Sequence, residues 1–245
     1  MQALLDAIAN NARDAIAVCW FFASWTIYTR YVQYAARRRK SLTSAMVVAR
    51  RQWMAQLLAR DNRITDASII ANLERNVSFL ASSALLIVAA LLTTLAGTET
   101  AVNILASIPL TTPASRELWE VKVMLLAVVF IYAFFQFTWS MRQYSFLSIL
   151  VGAAPNAVKG SAPDEALRDG FVDHAAQVAT LAAFAFNQGL RAYYFALAVL
   201  AWLVSAPVFM LATSLVVWVL YRREFHSPAV RALRGVAHAR GAAGP

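Results

Sequence analysis

The apolar residues of this chain fall into long stretches that are separated by short polar connections. Residues 77–96 contain no charged side chain, and residues 15–34 and 121–141 each carry an extended apolar block. A helix of about 20 residues, at a rise of about 1.5 Å per residue, matches the hydrocarbon core of a bilayer. The pattern therefore predicts a transmembrane helix in each of these three regions.

A fourth apolar stretch, residues 175–221, is too long for a single crossing. As one helix its 47 residues would extend about 70 Å, against a hydrocarbon core of about 30 Å. We therefore expect two spans here, with the turn at Gln188 and Gly189 and with Arg191 at the outer interface. A turn nearer Pro207, which would bury Arg191 in the bundle, is the alternative.

The connection over residues 35–76 contains a further helical pattern. Ser41 is a suitable N-cap, and apolar side chains then recur at steps of three and four residues, which predicts an amphipathic helix at the membrane interface. These side chains are Met46, Val47, Trp53, Met54, Leu57 and Leu58.

The charges orient the predicted spans. Residues 35–76 carry nine basic and three acidic side chains, whereas residues 97–120 carry one basic and three acidic ones. Cytoplasmic loops of membrane proteins are enriched in Lys and Arg. We therefore predict an all-α integral membrane bundle of about five transmembrane helices plus a cytoplasmic interfacial helix, with the amino terminus outside and the carboxyl terminus in the cytoplasm.

Composition agrees with a membrane protein and narrows the chemistry. The chain of 245 residues is 60% hydrophobic and 14% charged, so we expect one bundle domain over residues 1–225 and a basic, disordered tail over residues 226–245. The single cysteine, Cys19, excludes an internal disulfide. The three histidines and the glycines form no metal, haem or nucleotide motif. We predict no catalytic residue, metal or cofactor.

Two polar clusters are candidates for ligand or anion binding. The first lies in the predicted cytoplasmic connection, where it is either a structural turn or a site for an anionic group. The second would be expensive inside a membrane span, so it is either an interfacial turn or a buried polar site. The first comprises Arg60, Asp61, Asn62, Arg63 and Asp66, and the second comprises Asn187, Gln188, Arg191 and Tyr193.

Other residues are candidates for contact with lipid. A basic run after the first span and two tryptophans near predicted interfaces are typical of contacts with anionic headgroups. These residues are Arg37, Arg38, Arg39, Lys40, Trp53 and Trp139. Since the net charge of +9 is explained by orientation and lipid contact, we expect membrane lipids and other membrane subunits as partners, and no nucleic acid.

Three stretches carry a resemblance to a known family: RDNRITD at residues 60–66, WEVKVMLLAVVFIYAFFQFTWSMRQYSFLSILVGAAP at residues 119–155, and FNQGLRAYYFALA at residues 186–198. Over roughly residues 15–225 the chain resembles an uncharacterised family of bacterial and plant integral membrane proteins, domain of unknown function 599. The resemblance implies a multi-pass protein of the bacterial inner (plasma) membrane. It implies no activity, substrate or catalytic residue.

Three classes of function fit these observations. A non-enzymatic accessory or scaffolding subunit of a membrane complex accounts for the short loops and the broad apolar faces. A small transporter or channel requires Arg191 to be buried with polar neighbours. A membrane enzyme acting on lipid or quinone would have to use Asp61, Asp66 or His174, which form no recognisable acid and base pair.

Overall fold

The computed structural model describes residues 2–37, 41–97, 116–155 and 165–233. The main elements within these ranges are six α-helices, followed by a short helical segment over residues 228–233. The helices are α1 (Gln2–Arg37), α2 (Leu42–Leu58), α3 (Ile64–Ala96), α4 (Arg116–Gly152), α5 (Glu165–Ala201) and α6 (Ala206–His226).

Local sequence signals set the beginnings of two of these helices. The Ser41 hydroxyl accepts the amide of Ser44, and the Ser44 hydroxyl accepts the amide of Ser41, which confirms Ser41 as the N-cap of α2. At α6, the Ser205 hydroxyl accepts the Val208 amide, and Pro207 occupies the first turn. Proline is favoured there because the first amides of a helix have no partner within it.

The turn expected at Gln188 and Gly189 is wrong. Helix α5 continues through both residues to Ala201, and the chain turns at residues 202–205, just before Pro207. Gly189 serves close packing, since a Cβ atom at this position would lie 2.5 Å from the ring of Phe137 on α4. The alternative that placed the turn near Pro207 is the one that the structure shows.

Contacts between side chains give the directions of the helices. Helices α4 and α5 are antiparallel, because Phe130 contacts Tyr193 and the Ser140 hydroxyl donates to the Ala182 carbonyl at 2.7 Å. Helix α3 runs parallel to α5 and antiparallel to α4, since Glu74 accepts from Ser145 of α4 while Leu80, later in α3, accepts from Tyr193, which lies beside Phe130 earlier in α4.

Helices α1 and α6 run in the same direction as α4. The Trp20 indole donates a hydrogen bond to the Ser214 hydroxyl, and Tyr31 contacts Phe225, which shows that α1 is parallel to α6. Trp25 contacts Tyr132 of α4 and Phe195 of α5. Tyr28, later in α1, contacts Arg191, earlier in α5, so α1 is antiparallel to α5 and parallel to α4. The five long helices therefore alternate in direction along the chain.

Helix α2 covers one end of the bundle. Its residues Met54, Leu57 and Leu58 are buried in the common core, and its first turn is held by Glu224 of α6, which accepts the amide and the hydroxyl of Thr43 at 3.0 and 2.7 Å. Part of the apolar face that predicted an interfacial helix is thus used to close the bundle.

Three helical segments are long and apolar enough to cross a membrane, namely Ile64–Ala96, Arg116–Gly152 and Ala206–Leu233. They contain the two spans predicted at residues 77–96 and 121–141. The chain is therefore an all-helical protein with membrane-spanning character. Helices α3 and α4 extend beyond the predicted spans toward the end of the bundle that α2 covers.

Candidate functional site

Arg191 lies in the middle of the bundle. It is on α5, two residues before Tyr193, whose ring contacts Phe130 and Phe137 near the centre of α4. Only 6% of the Arg191 surface is exposed. An arginine at this depth is costly in a membrane protein, which makes Arg191 a candidate functional residue.

The partners of Arg191 are neutral. Its Nη1 donates to Oε1 of Gln188 at 3.1 Å, and its guanidinium lies 5.5 Å from the ring centre of Tyr28 on α1. In the described parts of the chain, no carboxylate forms an ion pair with it. The carboxylates of Asp173 and Glu120 pair with other arginines, Arg51 at 2.6 Å and Arg116 at 3.0 Å.

The rest of the second predicted cluster surrounds Arg191 without adding charge. Gln188 is buried and Asn187 is half-buried. The Tyr193 hydroxyl donates to the Leu80 carbonyl of α3 at 2.9 Å, so this residue joins α5 to α3. The cluster is therefore a polar layer inside the bundle, and Arg191 is its only charged member.

A cleft of about 430 Å³ lies between α1 and α4, next to this layer. Trp25 and Tyr132 meet edge to face in its wall. The hydroxyl of Thr29 is buried beside it, with no hydrogen-bond partner among the described residues. The lining residues are Phe22, Trp25, Thr26, Thr29, Arg30, Gln33, Val128, Val129 and Tyr132.

The first predicted cluster forms the connection between α2 and α3, which we call the α2–α3 corner (residues 59–66). Asp66 is fully buried, and its Oδ1 accepts Nη1 of Arg60 at 2.6 Å and the indole nitrogen of Trp53 at 2.7 Å. Trp53, predicted as an interface residue, thus donates a hydrogen bond inside this corner.

The remaining residues of the corner tie it to its neighbours. Arg63 donates to the carbonyls of Ala154 and Pro155 at 2.7 and 2.8 Å, beyond the end of α4. The Asn62 side chain accepts the Ile64 amide at the start of α3, while Asp61 is exposed. The arrangement favours a structural role for the α2–α3 corner, because most of its polar groups are already bonded within the protein.

The predicted lipid contacts are described only in part. Arg38, Arg39 and Lys40 lie outside the described residues, and Arg37 is the last residue of α1. Trp139 is 54% exposed on α4. His174, a candidate for proton transfer, is exposed, and its Nδ1 lies 2.6 Å from the Gly170 carbonyl one turn earlier.

The structure also brings together charged residues that sequence reasoning missed. At the end of the bundle opposite α2, Lys122 is buried, with its ammonium 5.5 Å from the ring centre of Trp202. The Trp202 indole donates to the Asp14 carboxylate at 2.6 Å. The signal was a lone lysine inside an apolar stretch, but nothing in the chain order connects residues 14, 122 and 202.

The comparisons with known proteins assign a family. The family model described as protein of unknown function, DUF599, matches residues 16–229. The chain belongs to this family. No curated protein and no solved structure matches the chain.

Membership in DUF599 covers most of the groups described above. The matched range includes Arg191, the cleft between α1 and α4, and the α2–α3 corner, whereas Asp14 lies just before it. The family description carries no activity.

Proposed function

We propose that this membrane protein is a non-enzymatic accessory or scaffolding subunit that contacts lipid and binds other subunits of a membrane complex. The supporting observation is the open apolar face of α3. Only 17% of the most apolar part of α3 is buried within the bundle, against 39% for α4. Phe79 and Leu86 on this helix are 71% and 72% exposed, so α3 offers a surface for lipid or for another subunit.

Five crossings, with the amino terminus outside and the carboxyl terminus in the cytoplasm, belong to this proposal. Its support is the alternation of the five long helices together with the position of basic side chains. Arg51, Arg60 and Arg63 all lie at the end of the bundle that α2 covers, which is the arrangement expected of a cytoplasmic face. We propose the bacterial inner membrane as the location.

A pair of matched variants tests the subunit role. The chain is extracted from native membranes in mild detergent and separated by size, as wild type, as Leu86→Trp on α3 and as Leu211→Trp on α6. Leu211 is 70% exposed, so it matches Leu86 in exposure on a different face. We expect a larger complex for the wild type and Leu211→Trp, and its loss for Leu86→Trp. Migration of the wild type as a lone bundle would contradict the proposal.

The buried Arg191 favours a small transporter or channel as the second candidate. A cation beside neutral polar groups in the middle of a bundle is a common lining for an anion pathway. Reconstituted liposomes loaded with chloride, nitrate or phosphate test it directly. Flux that is present in the wild type and lost in Arg191→Ala supports transport, whereas full flux in Arg191→Ala excludes a pathway that depends on this residue.

A further inference from the structure

The cleft between α1 and α4 faces the outside of the bundle. Phe22, Thr26, Arg30 and Gln33 form one exposed stripe along α1, and Val128 on α4 is 51% exposed across from them. From residue 22 to residue 33 the stripe extends about 16 Å along the helix axis. The aromatic part of the stripe suits a segment of one extended hydrocarbon chain.

The charged and amide side chains of the cleft lie toward one end. The apolar and aromatic side chains Phe22, Trp25 and Val128 occupy one part, while Arg30 and Gln33 occupy the part nearer the end that α2 covers. Arginine and glutamine offer hydrogen-bond donors to phosphate oxygens. Like a phospholipid, the cleft therefore has an apolar part and a polar part at one end.

Its charge is positive. The described residues that line the cleft include Arg30 and no carboxylate. Arg191 lies behind the wall, because its guanidinium covers Tyr28, the neighbour of the lining residue Thr29. Since its partners are neutral, its charge contributes a positive potential in a medium of low dielectric constant.

We propose that this cleft binds one anionic phospholipid, with an acyl chain between α1 and α4 and with the phosphate at Arg30 and Gln33. The inference rests on the proposed membrane role, because it names the lipid class that the bundle contacts. Under the proposed orientation the lipid comes from the cytoplasmic leaflet. Charge complementarity selects an anionic headgroup over a zwitterionic one.

Native mass spectrometry of the full chain in detergent tests the proposal. Purified, delipidated protein is titrated with phosphatidylglycerol and with phosphatidylcholine of the same acyl chains. We expect one phosphatidylglycerol to bind with an affinity about tenfold higher than that of phosphatidylcholine. Equal affinities for the two lipids would overturn the charge assignment.

Two variants locate the site. Arg30→Gln should lower the affinity for phosphatidylglycerol about fivefold and leave that for phosphatidylcholine nearly unchanged. Arg75→Gln is the matched control, because Arg75 is exposed on α3 away from the cleft, where it bonds Asn72. An equal loss for both variants would show that binding follows total charge and would reject the cleft.

Filling the cleft is the second test. Val128→Trp and, on the opposite wall, Thr26→Trp should weaken the binding of both lipids. Since both positions are exposed, thermal unfolding should stay near that of the wild type. Unchanged lipid binding in both folded variants, or a stable dimer that excludes lipid from the cleft, would overturn the proposal. The titration uses the isolated chain, so its outcome is independent of whether a larger complex is recovered from native membranes.

Discussion

In the α2–α3 corner, Arg60 lies 2.6 Å from the buried carboxylate of Asp66, whereas in the middle of the bundle Arg191 has Gln188 and the ring of Tyr28 as partners. Both arginines belong to clusters that stand out in the sequence. The first completes an ion pair that fastens a connection between two helices. The second carries its charge into an apolar region without an opposite charge among the described residues.

This difference separates an arginine that is paired with a carboxylate from one whose described partners are neutral. The buried carboxylate of Asp66 has an arginine and an indole as donors to Oδ1, which replace part of its lost hydration, while its Oδ2 has no hydrogen-bond partner among the described residues. Arg191 has one hydrogen bond to a neutral group, which replaces less of the hydration that its charge loses on burial. Its presence in an apolar region therefore requires another explanation. The alternative anion pathway would bring an anion to Arg191, whereas the proposed lipid would bring a negative phosphate to the adjacent cleft.

The largest expected effect is in the α2–α3 corner. Asp66→Ala removes the acceptor shared by Arg60 and Trp53, and it should lower the free energy of unfolding by about 3 kcal/mol. Thermal unfolding in detergent, followed by tryptophan fluorescence, measures the change. Asp66→Asn keeps one acceptor and should lose less. Asp61→Ala, at an exposed neighbouring position, should change stability by less than about 0.5 kcal/mol. A loss as large as that of Asp66→Ala would show that the buried ion pair is not the cause.

Gly189→Ala tests whether α5 passes close to α4 beside the Arg191 layer. The new methyl group would meet the buried ring of Phe137, and the free energy of unfolding should fall by about 2 kcal/mol. The same denaturation measurement applies. Gly170→Ala is the control, because a Cβ atom there has no neighbour within 4 Å. If α5 instead turned at Gly189, both variants would behave alike.

Replacing each arginine by methionine should shift stability in opposite directions. Arg191→Met removes an unpaired buried charge and should raise the free energy of unfolding by about 1 kcal/mol, after the lost contact with Tyr28 is included. Arg60→Met leaves a buried carboxylate with one donor fewer and should lower it by about 1 kcal/mol, a modest value because the Arg60 side chain is 45% exposed. Equal signs in the unfolding curves would show that Arg191 is as well compensated as Arg60.

The smallest effect concerns the wall of the cleft. Thr29→Val removes a buried hydroxyl for which the described residues provide no hydrogen-bond partner, and it should raise the free energy of unfolding by about 0.5 kcal/mol. Thr213 provides the comparison, because its buried hydroxyl donates to the Phe209 carbonyl at 2.9 Å. Thr213→Val should lower stability slightly. A loss of stability in Thr29→Val would mean that the hydroxyl has a partner in the membrane.

Local signals predicted several elements correctly because they depend on neighbours in the chain. Ser41 was identified as an N-cap, and residues 77–96 and 121–141 lie within α3 and α4. The last hairpin was placed incorrectly for the opposite reason. Gly189 has the composition of a turn, but its absent side chain makes room for Phe137, which is 52 positions away along the chain.

The candidate site shows the same division. The run from Asn187 to Tyr193 stands out because polar residues are rare in an apolar stretch. The group of Lys122, Trp202 and Asp14 does not, since each member is unremarkable until three helices bring them together. Thr29 and Arg30 likewise become candidate site residues only because the fold places them beside α4.

The sequence by itself determined that the chain is a helical membrane protein, because the length of an apolar stretch and the asymmetry of basic residues act through the bilayer and need no tertiary contact. The tertiary structure decided which arginine is paired. That outcome depends on whether a carboxylate from another part of the fold comes within a few ångströms, as Asp66 does for Arg60. It also decided where α1 and α4 leave a cleft, since a cavity is a property of two surfaces that meet.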